Sequence, residues 1–405
     1  MIVLKFGGTS VKSLARIKNV ASIIAETAKH DSVVAVVSAM GDTTDYLVKL
    51  ANQASEKPNR RELDALLATG EQISAALVAM SLTEIGAPAI SLTGRQLGIT
   101  TESIHTTARI VDINTDRILK HLKDGLIVIA AGFQGMTPDG DTTTLGRGGS
   151  DTTAVALAAA LGASTCDIYT DVSGVYTADP NIVPNARLLK EIAYEEMLEM
   201  ARVGAQVLHP RAVELARKHG IPVRVRNTFD PGHPGTTLKG LEFMEIYRPV
   251  SGVTVDRDQA RLAILKVPDR PGIAGEIFGA LAEHRVSADM IIQAFHEERS
   301  VNDITFTVKR SDLDTARKAL EEAAERTGAE GILADEDVAK VSIVGAGLMD
   351  QPDIAARMFA ALGRAGINIK MISTSEIRIS CAISDKDGES AVRIVHDLFD
   401  LNDGE

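Results

Sequence analysis

The chain has no tryptophan, and aromatic residues make up only 3% of its 405 positions. Stacking platforms for nucleobases are built from aromatic rings, so that mode of binding is disfavoured. Positive charge is short as well: 43 Lys and Arg stand against 55 Asp and Glu, a formal net charge of -12. A phosphate backbone needs a basic face, and this balance leaves room only for a local basic pocket. Cysteine occurs twice, at Cys166 and Cys381, too rarely for a disulfide framework and in keeping with a reducing compartment. The nine histidines show no metal-ligand spacing, so no protein-bound metal is expected, and His209-Pro210 reads as a helix-entry contact. Nor does any Ser-His-Asp or Cys-His arrangement point to nucleophilic catalysis. The longest apolar stretch, Ala154 to Gly162, is too short and too alanine-rich to cross a bilayer. Met1 runs straight into an apolar strand without the blocks of a leader peptide, and a cytoplasmic location is expected.

What is present is an ordinary globular composition, 45% hydrophobic and 24% charged, over a length that favours two or three domains. From Ile2 to about Gly240, short β-branched runs alternate with longer helical ones, the pattern of an α/β domain with a largely parallel sheet. Strands are expected at Ile2 to Phe6, Ser32 to Ser38, Leu126 to Ala131, Cys166 to Thr170 and Pro222 to Arg226. Helices are expected at Ser13 to Lys29, Glu62 to Ile85 and Asp151 to Leu161. Thr228 to Gly240, with its two prolines and three glycines, reads as a linker. Beyond it the chain repeats weakly: Phe278, Leu281, Val286, Met290 and Ile291 match Phe359, Leu362, Ile367, Met371 and Ile372 at one constant offset. Each copy has a βαββαβ order, which predicts a four-stranded sheet with helices on one face, and two such sheets are expected to pair by their edges. The expected domains are 1–240, 241–335 and 336–405.

Two glycine-rich segments carry the chemistry. Lys5-Phe6-Gly7-Gly8-Thr9-Ser10 ends the first strand, and Gly146-Arg147-Gly148-Gly149-Ser150-Asp151-Thr152-Thr153 opens an alanine-rich helix. Paired glycines let backbone N–H groups approach an anion, and the helix start adds its positive end. A lone strand-end lysine is more often a snorkelling surface residue, but Gly-Gly-Thr-Ser after Lys5 favours a phosphate role. The segment is neither a Walker loop nor a dinucleotide fingerprint. Arg147, among glycines, is free to fork a carboxylate. Ser150-Asp151 is also an ordinary helix N-cap pair. Ser38 to Asp45 follows the second strand, where open α/β sheets bind ligands. In Ala68-Thr69-Gly70-Glu71, a glycine inside a helical pattern costs about 1 kcal/mol against alanine and marks a close approach. Tyr169 to Pro180 could form an adenine and ribose lip or a plain decorated loop.

Taken together these motifs resemble those of aspartate kinases in the amino-acid kinase family. Lys-Phe-Gly-Gly-Thr-Ser, Ser-Ala-Met-Gly-Asp-Thr-Thr-Asp, Thr-Gly-Glu, Gly-Phe-Gln-Gly, Gly-Arg-Gly-Gly-Ser-Asp-Thr-Thr-Ala and Thr-Asp-Val-Ser-Gly-Val-Tyr-Thr-Ala-Asp-Pro stand in family order, and the repeat resembles paired ACT domains. The resemblance implies an amino-acid kinase fold, a mainly parallel sheet sandwiched by helices, followed by two small α+β ferredoxin-like domains. It implies transfer of the ATP γ-phosphoryl, with magnesium carried by ATP, to the side-chain carboxylate of L-aspartate. Lys5, Gly7, Gly8 and Ser10 would then line the phosphates, and Thr170, Asp171, Tyr176 and Asp179 the nucleoside. Thr44, Glu71, Arg147, Gly148 and Ser150 would hold aspartate, with Lys5 and Asp151 as catalytic residues. Asp269, Gly272, Ala274, Gln293, Asn368 and Ile369 resemble effector positions for threonine, lysine or both. Gln206 stands where many relatives carry Lys. Met244 resembles the internal start of a separate regulatory subunit, so the expected assembly is a homodimer through the ACT domains or an α2β2 form. Two other readings stay open: a kinase of the same fold for acetylglutamate or glutamate, and a catalytically silent amino-acid sensor.

Overall fold

Both faces of the first sheet are covered, which is why its strands read as unbroken apolar runs: Ile2–Phe6 (β1) and Val33–Val37 (β2) are buried at every position. Between them Leu14–Ala28 (α1) starts at Ser13, whose hydroxyl accepts from the Arg16 N–H. There follow Thr43–Ala54 (α2), Arg60–Leu67 (α3), Thr69–Glu84 (α4), Ala89–Leu92 (β3), Ile99–Thr101 (β4), Ile110–Ile113 (β5) and Asp116–Lys123 (α5). Next come Ile127–Ala131 (β6), Gln134–Met136 (β7), Thr142–Thr144 (β8), Gly149–Leu161 (α6) and Cys166–Thr170 (β9). Glu191–Ala193 (β10), Tyr194–Arg202 (α7), Pro210–His219 (α8), Val223–Asn227 (β11) and Thr236–Lys239 (β12) complete this half. The structure, a computed structural model, describes residues 1–240, 249–296, 301–348 and 351–402, so the candidate start at Met244 lies outside the described residues.

The large sheet has the order β10-β12-β11-β9-β1-β2-β6-β3, and every neighbouring pair is parallel except β11 with β12. A smaller sheet, β5-β4-β7-β8, accompanies it. Since β1 has β2 on one side and β9 on the other, the chain changes direction of winding at β1, the point where open α/β sheets leave a crevice. The two carboxylate oxygens of Asp167 on β9 accept a forked pair of hydrogen bonds from Arg224 Nε and Nη2 of β11, each at 2.7 Å, and Arg226 Nη1 donates a third at 3.3 Å.

Two expectations need correction here. The helix expected from Glu62 to Ile85 divides at Ala68, because Gly70 passes the loop after β2 so closely that a Cβ there would lie 2.9 Å from Ala39 Cβ. The stretch Thr228 to Gly240 is no linker. It turns back at Gly235, where φ is +76° and a Cβ would lie 1.9 Å from the Val225 carbonyl, and its end is β12, inserted between β10 and β11.

The remaining elements are Gly252–Pro268 (β13), Ile273–Glu283 (α9), Asp289–His296 (β14), Val301–Val308 (β15), Leu313–Thr327 (α10), Gly331–Val344 (β16), Asp353–Arg364 (α11), Met371–Ser375 (β17), Arg378–Ile383 (β18) and Gly388–Leu398 (α12). The sequence repeat predicts two four-stranded sheets; the structure has one antiparallel six-stranded sheet, β14-β15-β13-β16-β18-β17. The reason is strand length. β13 and β16 run through both repeats, pairing Gly252–Asp256 with Lys340–Val344 at one end and Leu262–Leu265 with Gly331–Ala334 at the other. Two apolar cores result, one around Leu262, Ile277, Phe306 and Leu320 and one around Val253, Ile343, Met358 and Val395.

The chain forms two compact units: Met1–Val175, Leu188–Ala201 and Gln206–Glu245 in one, and Tyr176–Arg187, Arg202–Ala205 and Ile246–Glu405 in the other, in each case among the described residues. Residues 176–187 therefore leave the first unit and serve in the second. Their root is closed in the first unit by the Leu189 N–H donating to Val175 O at 2.8 Å and by Thr236 Oγ1, which accepts from the Val175 N–H at 2.8 Å and donates to Leu189 O. Further out, Ala178, Val183 and Ala186 belong to the second core. Thr177 anchors this segment. Its hydroxyl donates to Leu401 O at 2.9 Å, accepts from the Arg187 N–H at 2.9 Å and meets His396 Nε2 at 2.9 Å, while its carbonyl accepts from the Val253 N–H at 2.7 Å. Burial lowers the pKa of His396 and favours the neutral ring.

Thr177→Val keeps the shape but strands the part-buried Arg187 N–H and the buried Leu401 carbonyl, so we expect a loss of about 2–4 kcal/mol in denaturant unfolding. Thr177→Ser, which keeps the hydroxyl, should recover most of that loss.

Candidate functional site

β1, β2, β6 and β9 are parallel neighbours, so their carboxyl ends open on one edge of the first unit. The segments that leave those ends are Gly7-Gly8, Ser38 to Gly41, Gly132-Phe133 and Asp171. They interlock through glycine. The Gly41 N–H donates to Gly8 O at 3.1 Å, and a Cβ on Gly8 would come within 3.0 Å of Ala39 O. α6 starts at the same edge. Its N-cap is Gly148, with φ +67°, so the expected N-cap pair Ser150-Asp151 lies inside the first turn instead.

Lys5, at the end of buried β1, extends to α6, where its ammonium lies 2.6 Å from Asp151 Oδ1, and both side chains are nearly out of solvent, at 11% and 13% exposed. A charge in that position needs a partner, and Asp151 supplies one while the helix terminus behind it supplies further positive potential. Glu71 is the second buried charge. It lies in the first turn of α4, and its Oε1 accepts from the Ala39 N–H at 3.0 Å. Oε2 has no hydrogen-bond partner, the residue is 3% exposed, and burial pushes its pKa up to about 7 against the pull of that backbone bond. A buried carboxylate oxygen without a partner is rare in folded proteins and calls for an explanation. Arg147 contrasts with both: its side chain is exposed, on a loop between Gly146 (φ +78°) and Gly148.

With this geometry in place, the family can be assigned. The model of the amino acid kinase family matches residues 1–227, more than half of the chain. The chain belongs to the amino acid kinase family. An ACT domain model matches residues 265–324 and again 341–399. The chain is similar to an aspartokinase of Thermus thermophilus, 48% identical over 404 residues and 99% of each chain, and to that of Pseudomonas aeruginosa, 49% identical over 405 residues, 99% of this chain and 98% of the relative. Among solved structures it resembles E. coli aspartokinase III in complex with aspartate and ADP, at 28% identity and a TM-score of 0.83 over 98% of this chain and 99% of that one.

For an amino acid kinase site, the structure brings Lys5, Gly7, Gly8, Thr44, Glu71, Gly148, Ser150 and Asp151 onto the segments at one strand-end edge, together with Arg147 and Thr170-Asp171. Ser10 is placed differently from its expected role at a phosphate: it is fully buried, and its hydroxyl is taken by Thr228 Oγ1 at 2.7 Å. Tyr176 and Asp179 belong to the second unit. Tyr176 packs on the second core, and Asp179 Oδ1 accepts from the Asn181 N–H at 2.9 Å. Gln206 is exposed.

Two residues escape sequence reasoning. Asp64 on α3 is fully buried and accepts from His105 Nδ1, the Thr106 N–H and Thr144 Oγ1. Arg211, in the first turn of α8, donates to the carbonyls of Leu145 and Ala108. The only signal for either was position: a polar residue on a helix that otherwise fits the sheet.

In the second unit Asp269 follows β13 and accepts from Asn302 Nδ2 at 2.9 Å, while Gly272, with φ +93°, caps α9 just before Ala274. Gln293 lies on β14, and Asn368 and Ile369 just precede β17. These two outer strands share the small cluster of Met290, Val338, Met371 and Ala382, which draws the two repeats together at that end.

The raised pKa of Glu71 has a thermodynamic sign. Its proton is held more tightly in the folded than in the unfolded chain, so the stability is complete below about pH 4.5 and falls as pH rises to about 7, by about 3 kcal/mol in total. Without substrates, Glu71→Gln should therefore flatten the pH dependence of denaturant unfolding between pH 5 and 8 and leave the variant the more stable protein at pH 8.

Proposed function

We propose that this protein is an aspartate kinase, transferring the γ-phosphoryl group of ATP to the side-chain carboxylate of L-aspartate to give 4-phospho-L-aspartate and ADP. The observation that carries the reading is the pairing of opposite needs at one edge: a held ammonium at Lys5 and a buried carboxylate at Glu71 whose second oxygen is unpaired. The first suits phosphate; the second suits the α-ammonium of an amino acid. Full-length similarity to aspartokinases supports the substrate.

The chemistry asks little of proton transfer. The aspartate carboxyl group, with a reference pKa of about 3.9, is already ionised at neutral pH, so no general base is required. One of its oxygens forms the new bond to the γ-phosphorus as the bond to the β–γ bridging oxygen breaks, and ADP leaves with that oxygen. The obstacle is repulsion between anions. Lys5 neutralises charge on the phosphates and is kept in line by Asp151. Gly7 and Gly8 let the backbone approach the phosphates, Ser10 supports that turn from beneath, and Thr170 and Asp171 frame the nucleoside. Magnesium enters with ATP. Arg147 forks the α-carboxylate of aspartate, Glu71 takes its ammonium, and Thr44, Gly148 and Ser150 complete the cradle.

The catalytic domain spans 1–240, with 176–187 and 202–205 lent to the second unit, and the ACT domains are 241–335 and 336–405, the second completed by 252–256. Asp269, Gly272, Ala274 and Gln293 of the first, with Asn368 and Ile369 of the second, receive threonine, lysine or both as feedback effectors. Assembly is through ACT edges, as a homodimer or with a regulatory subunit begun near Met244, in the cytoplasm.

The test is ADP release with L-aspartate and MgATP, with hydroxylamine trapping of the acyl phosphate, with and without threonine and lysine. Aspartate-dependent turnover lowered by an effector is the expected result. Turnover with glutamate or acetylglutamate alone would replace the substrate, and ATP binding without turnover would leave a sensor. Lys5→Met should lower kcat about 100-fold or more. Since only ionised Glu71 attracts an ammonium, KM for aspartate should rise up to tenfold for each pH unit below about 7, while KM for ATP stays level. In Glu71→Gln that slope should vanish and KM for aspartate should be high throughout.

A further inference from the structure

Arg147 stands between two glycines in left-handed conformation, Gly146 and Gly148, so its own neighbours do little to aim it. Its direction depends on what fixes the chain to either side. On the helical side, Gly148 lies so close to His209 that a Cβ would come within 2.1 Å of the imidazole Cγ, and α6 begins immediately. On the other side the chain is held through Leu145. The Leu145 N–H donates to Phe133 O at 2.9 Å, and the Leu145 carbonyl accepts from Arg211 Nη1. The second arm of the same guanidinium, Nη2, donates to Ala108 O at 3.2 Å, and the Ala108 N–H in turn donates to Thr144 O at 3.0 Å. Arg211 thus joins two strands of chain at the residue next to Gly146, and it does so from α8, the helix whose N-cap His209 supports Gly148.

We infer that Arg211 is a positioning residue for aspartate binding, fixing the Leu145–Gly148 loop so that Arg147 meets the substrate carboxylate in one orientation. The inference rests on the reading of Arg147 as the carboxylate-binding residue. Its forked geometry is what the task needs: two carbonyls on separate segments are held at once by one rigid planar group. Lysine can reach one of them and leaves the other free.

Steady-state kinetics on the full chain would test this, with KM for aspartate and for ATP measured separately in Arg147→Met, Arg211→Gln, Arg211→Lys and the double variant Arg147→Met/Arg211→Gln. The expected result is a rise of about tenfold in KM for aspartate in Arg211→Gln, with KM for ATP within about twofold of the parent, a smaller rise in Arg211→Lys, and no further rise when Arg211→Gln is added to Arg147→Met, since coupled residues are not additive. If Arg147→Met raises KM for aspartate and Arg211→Gln does not, the positioning role is wrong and the aspartate reading stands. If Arg147→Met leaves KM for aspartate unchanged, the reading beneath the proposal fails. Equal rises in both KM values in Arg211→Gln and Arg211→Lys would show general support of the fold and overturn the proposal.

Discussion

A primary ammonium at the end of a fully buried strand is the constraint around which the first unit is arranged. Lys5 belongs to the central strand of a sheet covered on both faces, where an isolated charge is expensive. Asp151 answers it at 2.6 Å, but only because α6 begins where it does. That start depends on Gly148 in left-handed conformation against His209, and on an almost wholly buried helix of small residues, which packs closely on the sheet. One ion pair thus fixes the register between the first strand of the chain and a helix nearly 150 residues later. It also holds a positive charge in reserve at a place where a polyanion can share it.

Glu71 shows the complementary economy. Its desolvation is an uncompensated cost in the free protein, partly relieved by one backbone donor. In the proposed function a ligand that brings an ammonium relieves the rest, so stability withheld from the empty fold becomes binding energy. The same principle explains why the buried and bonded Asp64 is inert by comparison: all of its capacity is met internally, by a histidine, an amide and a threonine.

Much of this was legible in the sequence, for a physical reason. β1, β2, β6 and β9 are short and buried on both faces, β11 alternates buried valines with partly exposed arginines, and the limits of all five fall within a residue or so of the expected ones. Glycine hinges beside cations marked the strand-end segments because few other functions require that composition. The division of the α3–α4 stretch was hidden, since the apolar pattern continues across Ala68 and only the approach of Gly70 to Ala39 forces the change. Asp64 and Arg211 drew no reading from the sequence, because partners in distant segments leave no local trace. The fusion of the two repeats into one sheet was hidden for a related reason: strand alternation has the same period whether a strand serves one sheet or continues into the next.

The segment anchored by Thr177 bears on how the chain comes into being. Thr177 bonds to His396 and Leu401, 219 and 224 positions downstream. During synthesis, at about 5–20 residues per second, the residues that receive it follow roughly ten to forty seconds later. Throughout that interval Ala178, Val183 and Ala186 are apolar side chains awaiting a core that does not yet exist. The second core therefore draws on residues 178–186 as well as on residues 250–401, and until His396 and Leu401 are in place the early segment lacks those acceptors. Leu401 lies just past the end of α12, and its loss would be felt at Thr177, more than two hundred residues away.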